Sequence, residues 1–241
     1  MYQELKPSAG LSSLIDTFWT FSTDKEFSNF KILPDTCTDL IFDLNQNQGF
    51  ISGVMSSFQI QELPMGSDII GIRFKSENFG SLSKAPLDKS KNLKHDLSDI
   101  FQINTLDRLK RLSDLESVTN RLNYLEKCMA SIFKENHHHQ DHMVVSLAQN
   151  IRTLKGNVNI GNLVKSTHLS LRQIQRRFKS YVGLSIKEFS SIVRFNNAKN
   201  AIKSSPEKSL LEIAFDYGFF DHSHMNHEFN HISGENPSLF R

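Results

Sequence analysis

The stretch SLRQIQRRFK, residues 170–179, decides how this chain is read. Leu171, Ile174 and Phe178 recur at spacings of 3 and 4, which lays one apolar stripe along a helix. Arg172, Gln175, Arg176 and Lys179 take the other side. Ser170 stands at the N-cap position, where its hydroxyl accepts from the first unpaired amides. Upstream, Ile160, Leu163 and Val164 mark a second short amphipathic helix over 160–167. Two short helices joined by a tight turn, the second bearing Arg and Gln, describe a helix-turn-helix. The second helix of such a unit enters the major groove, where Arg and Gln hydrogen-bond base edges and phosphates.

One match of this kind is common among helical hairpins, but here the arrangement recurs. Residues 210–217 form a short apolar helix with Ile213 and Ala214 facing inward, and Gly218 supplies the turn. Asp221 then caps a second polar-faced helix through His222, His224, Asn226 and His227, anchored by Met225 and Phe229. Leu163-Val164 parallels Ile213-Ala214, Ile174 and Phe178 parallel Met225 and Phe229, and Gly183 parallels Gly234.

With both units in hand, residues 143–241 resemble the DNA-binding domain of the AraC/XylS transcriptional regulators. The matching places are Arg194, Ala198 and Ala201 on a long helix over 185–203, then Ile213-Ala214, Tyr217-Gly218-Phe219, Phe229, Gly234 and Pro237. The resemblance implies seven helices in two helix-turn-helix units bridged by one long helix. Three positions depart from it: His168 stands at a first-turn glycine, Ile186 at a common proline, and His227 at a usual arginine of the second recognition helix. Neutral imidazole makes no permanent charge contact. Arg172, Gln175 and Arg176 are the expected base readers of the first unit, and by matching, His222, Ser223, Asn226 and His227 hold those places in the second. Arg177, Lys179 and Lys187 are expected at phosphates, which position a protein without specifying sequence.

Charge agrees with this division. The 241 residues carry a formal +2, but residues 1–142 hold 15 Lys/Arg against 19 Asp/Glu, whereas residues 143–241 hold 13 against 7. A basic C-terminal part beside an acidic N-terminal part fits a nucleic-acid module joined to something else. Cys37 and Cys128 are far apart and show neither a disulfide framework nor zinc spacing. Without a signal-peptide pattern or an 18-residue apolar run, the chain is expected in the cytoplasm and not in a membrane.

Residues 1–87 read as β-rich. The apolar run through Leu14, Ile15, Phe18, Trp19 and Phe21, then segments 40–44, 50–54 and 69–74, are short strands between polar turns, as in a small barrel or sandwich. Alternation puts Ile70, Ile72 and Phe74 on one face. Trp19, Leu33-Pro34-Asp35, Leu40-Ile41-Phe42, Gly53 and Gly71-Ile72-Arg73-Phe74 also resemble an N-terminal domain fused to many AraC-type regulators, for which a cupin-like barrel is the expectation by analogy. Arg73, Trp19 and Asp35 are the candidate ligand-binding residues: a planar guanidinium on an apolar strand can bind a ligand carboxylate, or pair with Asp35 or Asp39. Phe27, Phe30, Phe50 and Phe58 line a pocket or form ordinary core.

Residues 88–142 read as a helical connector, with a short helix near 97–101. In it Leu112, Leu115, Val118, Leu122, Leu125, Met129 and Ile132 keep a seven-residue repeat. That repeat fits a dimer seam, or equally a helix laid on its own domain. His137–His139 with His142 read as the interdomain linker or a metal-binding run, and His224, His227 and His231 share one helical face, as DNA contacts, plain surface, or a metal or pH-sensitive site would. The fold class is therefore α+β: a β-rich domain at 1–87, a connector at 88–142 and an all-α DNA-binding domain at 143–241. No nucleophile–base pair, phosphate loop or metal-ligand spacing is present, so a non-enzymatic regulator without cofactor or catalytic residues is expected. Its partners would be double-stranded DNA, RNA polymerase, a small-molecule effector and a second copy of the chain. The alternative is a barrel-domain enzyme, or a metal- or ligand-binding protein, that keeps the helical domain without specific DNA binding.

Overall fold

The structure is a computed structural model that describes residues 2–23, 27–97, 111–136, 139–163 and 169–241. Its N-terminal half is sheet-rich and its C-terminal half helical. Strands β1 (Tyr2–Leu5), β2 (Ile15–Ser22), β4 (Cys37–Asp43), β5 (Gln48–Ser52), β7 (Asp68–Lys75) and β8 (Lys94–Asp96) form one sheet in the order β1-β2-β7-β4-β5-β8. Strands β3 (Phe27–Ile32) and β6 (Gln59–Pro64) form a separate antiparallel ribbon.

Period-2 alternation gives the large sheet two apolar faces. Ile70, Ile72 and Phe74 share one, as expected, and there they join Phe18, Leu40 and Phe42 in a buried cluster. Ile69 of β7 faces the other way and packs with Trp19 and Phe21, against which Phe30 and Leu63 of the ribbon are laid. Gly71 lies opposite Trp19 in the register, and a Cβ there would fall 2.2 Å from the indole ring. Only glycine lets that ring lie across the strand.

The first face is covered by helix α1 (Ser76–Phe79) and by α2 (Val118–Asn136), whose Leu125, Met129 and Ile132 sit in the same cluster as the sheet residues, together with Leu112. The seven-residue repeat is thus used within the chain. Its early members differ: Val118 is exposed, and Leu112 and Leu115 lie in the segment before the helix begins. The span 88–142, expected as a connector, supplies a strand to the sheet and a helix to its core. Residues 98–101, 106–110, 137 and 138 lie outside the described residues.

The C-terminal half consists of α3 (His142–Thr153), α4 (Ile160–Leu163), α5 (Leu171–Val182), α6 (Ile186–Ser204), α7 (Leu210–Asp216), α8 (His222–Ser233) and a final 3-10 turn, Pro237–Phe240. Capping boxes start α5, α6 and α7, where Ser170, Ser185 and Ser209 accept from the third amide and Gln173, Glu188 and Glu212 reach back. Asp221 caps α8. One core joins Ile174, Phe178, Phe189, Phe195, Ile213, Met225 and Phe229. Among the described residues no helix is long and apolar enough to cross a membrane.

The halves are packed together. Val54, from the β5–β6 connection, is buried in the C-terminal core. Arg152 of α3 makes a two-pronged ion pair at 2.8 and 2.9 Å with Glu77, which is buried. The N–H of Phe58 donates to the Ile232 carbonyl at 2.8 Å, and Asn196 of α6 donates to the Pro34 carbonyl.

Candidate nucleic-acid interface and cavity

Helices α5 and α8 are built alike. In α5, Ile174, Phe178 and Val182 are buried; in α8, Met225, Phe229 and Ile232 are buried. Both helices end at a left-handed glycine, Gly183 (φ +91°) and Gly234 (φ +71°), whose amides donate back to Lys179 and Asn230. Leu171, expected on the apolar stripe, is exposed, because it sits in the first turn beyond the reach of the core; Val182 completes the stripe instead. Arg172, Gln175, Arg176 and Lys179 are exposed on the opposite face of α5. Arg177 is turned elsewhere: its Nε donates to Asp141, the cap of α3. The first-unit turn, including Val164 and His168, lies outside the described residues.

In the second unit His222 and Asn226 are half-buried and 3.3 Å apart, while Ser223 and His227 are exposed. Arg194 of α6 fixes this unit. It pairs with Glu228 of α8 at 2.5 Å, reaches the Gly218 carbonyl, and lies 4.9 Å over the Phe219 ring. One guanidinium therefore ties the bridging helix to both the turn and the recognition helix of unit two, in the planar, multidentate way that lysine does not reproduce. His224, His227 and His231 do share a cleft, with Glu188 and Glu228. His224 there accepts from the Phe220 amide and lies 3.3 Å from Glu228. Among the described residues no three His, Cys, Asp or Glu side chains converge on a metal position.

The bridge α6 has 19 residues. At about 1.5 Å per residue it is about 28 Å long, close to the roughly 34 Å between successive major-groove segments on one face of DNA.

A second feature lies in the N-terminal half. A cavity of about 470 Å³ opens between the sheet and the ribbon, and its floor includes Trp19, Asp35 and Arg73, the three residues expected at a ligand site. Arg73 is engaged there. Its Nε is 3.1 Å from Asp35 and 3.2 Å from Asp39, and Glu4 is 3.4 Å from another nitrogen. Trp19 donates to Asp39 at 2.8 Å. Burial, more than the opposing pull of Arg73, pushes the Asp39 carboxyl up to about 6. Phe30 and Phe50 line the cavity, Phe58 packs over Gly234 instead, and the Phe27 side chain lies outside the described residues.

Sequence reading missed the cations around this cavity. Lys94 comes from β8, and Lys199, with Asn196, comes from α6. Among the described residues both amines find amides, Gln61 and Asn196, and not carboxylates. Burial lowers the pKa of each. Lys199 lies more than a hundred residues beyond the strands in sequence, and no local pattern connects it to them.

Comparison with known proteins agrees with both halves. Residues 163–241 match a family described as a helix-turn-helix domain, and residues 3–96 a domain of unknown function (DUF6597). Over 83 residues the chain is 34% identical to the HTH-type transcriptional regulator MtrA of Neisseria gonorrhoeae, a match covering 34% of this chain and 27% of that protein. The chain thus spans about a quarter of the length of that curated relative. A crystal structure of ToxT from Vibrio cholerae O395 aligns with a TM-score of 0.45 at 12% identity, covering 99% of this chain and 96% of that one. Unsaturated fatty acid-bound ToxT from strain SCE256 aligns at 0.41 and 14% identity, covering 99% and 92%. The C-terminal part of this chain thus matches a helix-turn-helix domain, and its N-terminal part a domain of the DUF6597 kind.

Proposed function

We propose that the chain is a sequence-specific DNA-binding transcriptional regulator, working in the cytoplasm and controlled by a small molecule at the N-terminal cavity. The observation that carries the first half is the pair of capped helices, α5 and α8, packed with one 19-residue helix in a single core, each with an exposed polar face. In this reading Arg172, Gln175 and Arg176 read bases from the first unit, and His222, Ser223, Asn226 and His227 occupy the same places in the second. Lys179 and Lys187 meet phosphates. Arg177, held by Asp141, is left out of the set. Functionally the chain divides at about residue 142, since β8 and α2 pack with the sheet.

The cavity supports the second half of the reading. Its walls include Trp19, Phe21, Phe30 and Ile41, and Lys94 and Lys199 stand at it without a carboxylate partner among the described residues. An apolar molecule ending in an acid group would bury its body against the rings and give the amines a carboxylate partner. Because Asn196 and Lys199 belong to the bridging helix, such a ligand touches both domains at once.

Selection of bound duplexes from a random pool tests the main claim. Recovery of a shared motif is expected, and the spacing of its half-sites counts the copies of the chain that bind. No enrichment over unrelated DNA would refute it. Thermal shifts with long-chain carboxylates, against the matching alcohols, test the cavity: stabilisation by the acids alone is expected, and it should disappear with Lys199→Ala.

A further inference from the structure

Beside the first recognition helix the protein places a turn from its other domain. The 3-10 turn Leu87–Lys89 packs on α5, with Leu87 buried and its carbonyl 3.1 Å from where a Cβ on Gly183 would stand. This seating fixes the position of the residues just after Leu87. Lys89 is exposed and lines the same cleft, of about 940 Å³, as Arg172, Gln175, Arg176, Lys179 and Lys187. Five cations line that cleft against one acid, Asp88. Among the described residues Lys89 has no ion-pair or hydrogen-bond partner.

A helix in a major groove about 12 Å wide has phosphates on both sides. A cation held beside the helix, on the side that bears its reading residues, therefore meets a strand of the duplex. An ammonium without a partner, on a turn anchored by a buried leucine, is suited to a phosphate and not to a base edge, since it offers a point charge without a planar fork.

We propose that Lys89 is a DNA phosphate contact, so that the sheet-rich domain is itself part of the DNA-binding surface and sets the duplex against the first recognition helix. The proposal rests on the DNA-binding reading above and adds a contact from outside the helix-turn-helix domain. It also gives the N-terminal domain a direct route to affinity, because displacement of the turn on α5 would carry the contact away.

The test is the salt dependence of binding by the full chain, measured on a duplex enriched from the random pool and on an unrelated duplex of equal length. Lys89→Gln is expected to weaken binding to both and to reduce the slope of log affinity against log salt by about 0.9. Over a fourfold rise in salt the wild type would then lose about 3.5-fold more affinity than the variant. Lys89→Arg should keep the wild-type slope. Lys127→Gln, on α2 in a separate groove with Ser8 and Leu11, removes the same charge elsewhere and should leave the slope unchanged. An unaltered slope in Lys89→Gln, tighter binding, a loss in Lys89→Arg, or an equal effect in Lys127→Gln would overturn the proposal while leaving the DNA-binding reading standing. Failure of the wild type to bind either duplex would overturn both.

Discussion

The two hairpins share a scaffold and differ in chemistry. Each recognition helix buries three apolar residues at spacings of 3 or 4 and ends at a left-handed glycine covered by the N-terminal domain: Gly183 by Val54, Gly234 by Phe58. Their outer faces diverge. The first shows Arg172, Arg176 and Lys179. The corresponding face of the second shows His222, Ser223, Asn226 and His227, with no permanent charge. Burial constrains the inner residues by volume and shape, whereas the outer face is set only by what it must touch. The proposed function therefore makes the first unit the main source of electrostatic attraction and the second a more neutral reader.

The largest expected effects test the shared scaffold. Phe178→Ala and Phe229→Ala should each cost about 3–5 kcal/mol, read by denaturant unfolding of the full chain. Phe229 should be the costlier, since its ring meets Phe195, Phe219 and Phe240, whereas Phe178 is paired with Phe189. A small loss at either position would mean that the two helices are not anchored equally in the shared core.

The chemical difference is tested at the surface. Arg176→Ala should weaken binding to the selected duplex by about 1–3 kcal/mol without changing the unfolding midpoint. Asn226→Ala should cost less, about 0.5–1.5 kcal/mol, because a neutral hydrogen bond is exchanged against water. If Asn226→Ala proved the more damaging in gel-shift titration, the ranking of the units would be reversed. The caps come next. Gly183→Ala and Gly234→Ala should each destabilise the fold by roughly 1–2 kcal/mol through the left-handed backbone alone. Gly183 should lose more, because its Cβ would meet both Val54 and the Leu87 carbonyl, while at Gly234 it meets a Phe58 ring that is only half-buried.

Much of the helical half was legible because helices declare themselves locally. Ser170, Ser185 and Asp221 announce starts, Gly183 and Gly234 announce stops, and the period between them places Phe178 and Phe229 inward. What failed there failed at an end: the period alone does not say that Leu171 overhangs the core. The sheet was legible only where β-branched and aromatic residues cluster, as in β7. The ribbon strand β6, Gln59–Pro64, places Gln61 and Leu63 on the cavity side and exposes Ile60, so its pattern carries no inward face to read. The repeat through Leu125, Met129 and Ile132 was open to two readings, because packing on a sheet and packing on a second helix call for the same spacing. Arg73, Trp19 and Asp35, expected at a ligand site, line one cavity, but Lys94 and Lys199, which line it too, are brought there only by the tertiary fold.

The smallest effect is also the one that most directly probes the difference between the units. His227→Arg would give the second recognition helix the permanent charge that the first has. Two carboxylates line the cleft beside it, Glu188 and Glu228, and both are already engaged: Glu188 with Lys91 and the Ser185 cap, Glu228 with Arg194 and Ser191. The added guanidinium would therefore have little to pair with inside the protein and would be free for the duplex. If the second unit faces DNA, the slope of log affinity against log salt should steepen by about 0.9, with tighter binding at low salt and an unchanged melting temperature. If instead the slope stays at its wild-type value, the second helix does not reach the phosphates, and the resemblance between the hairpins ends at their cores.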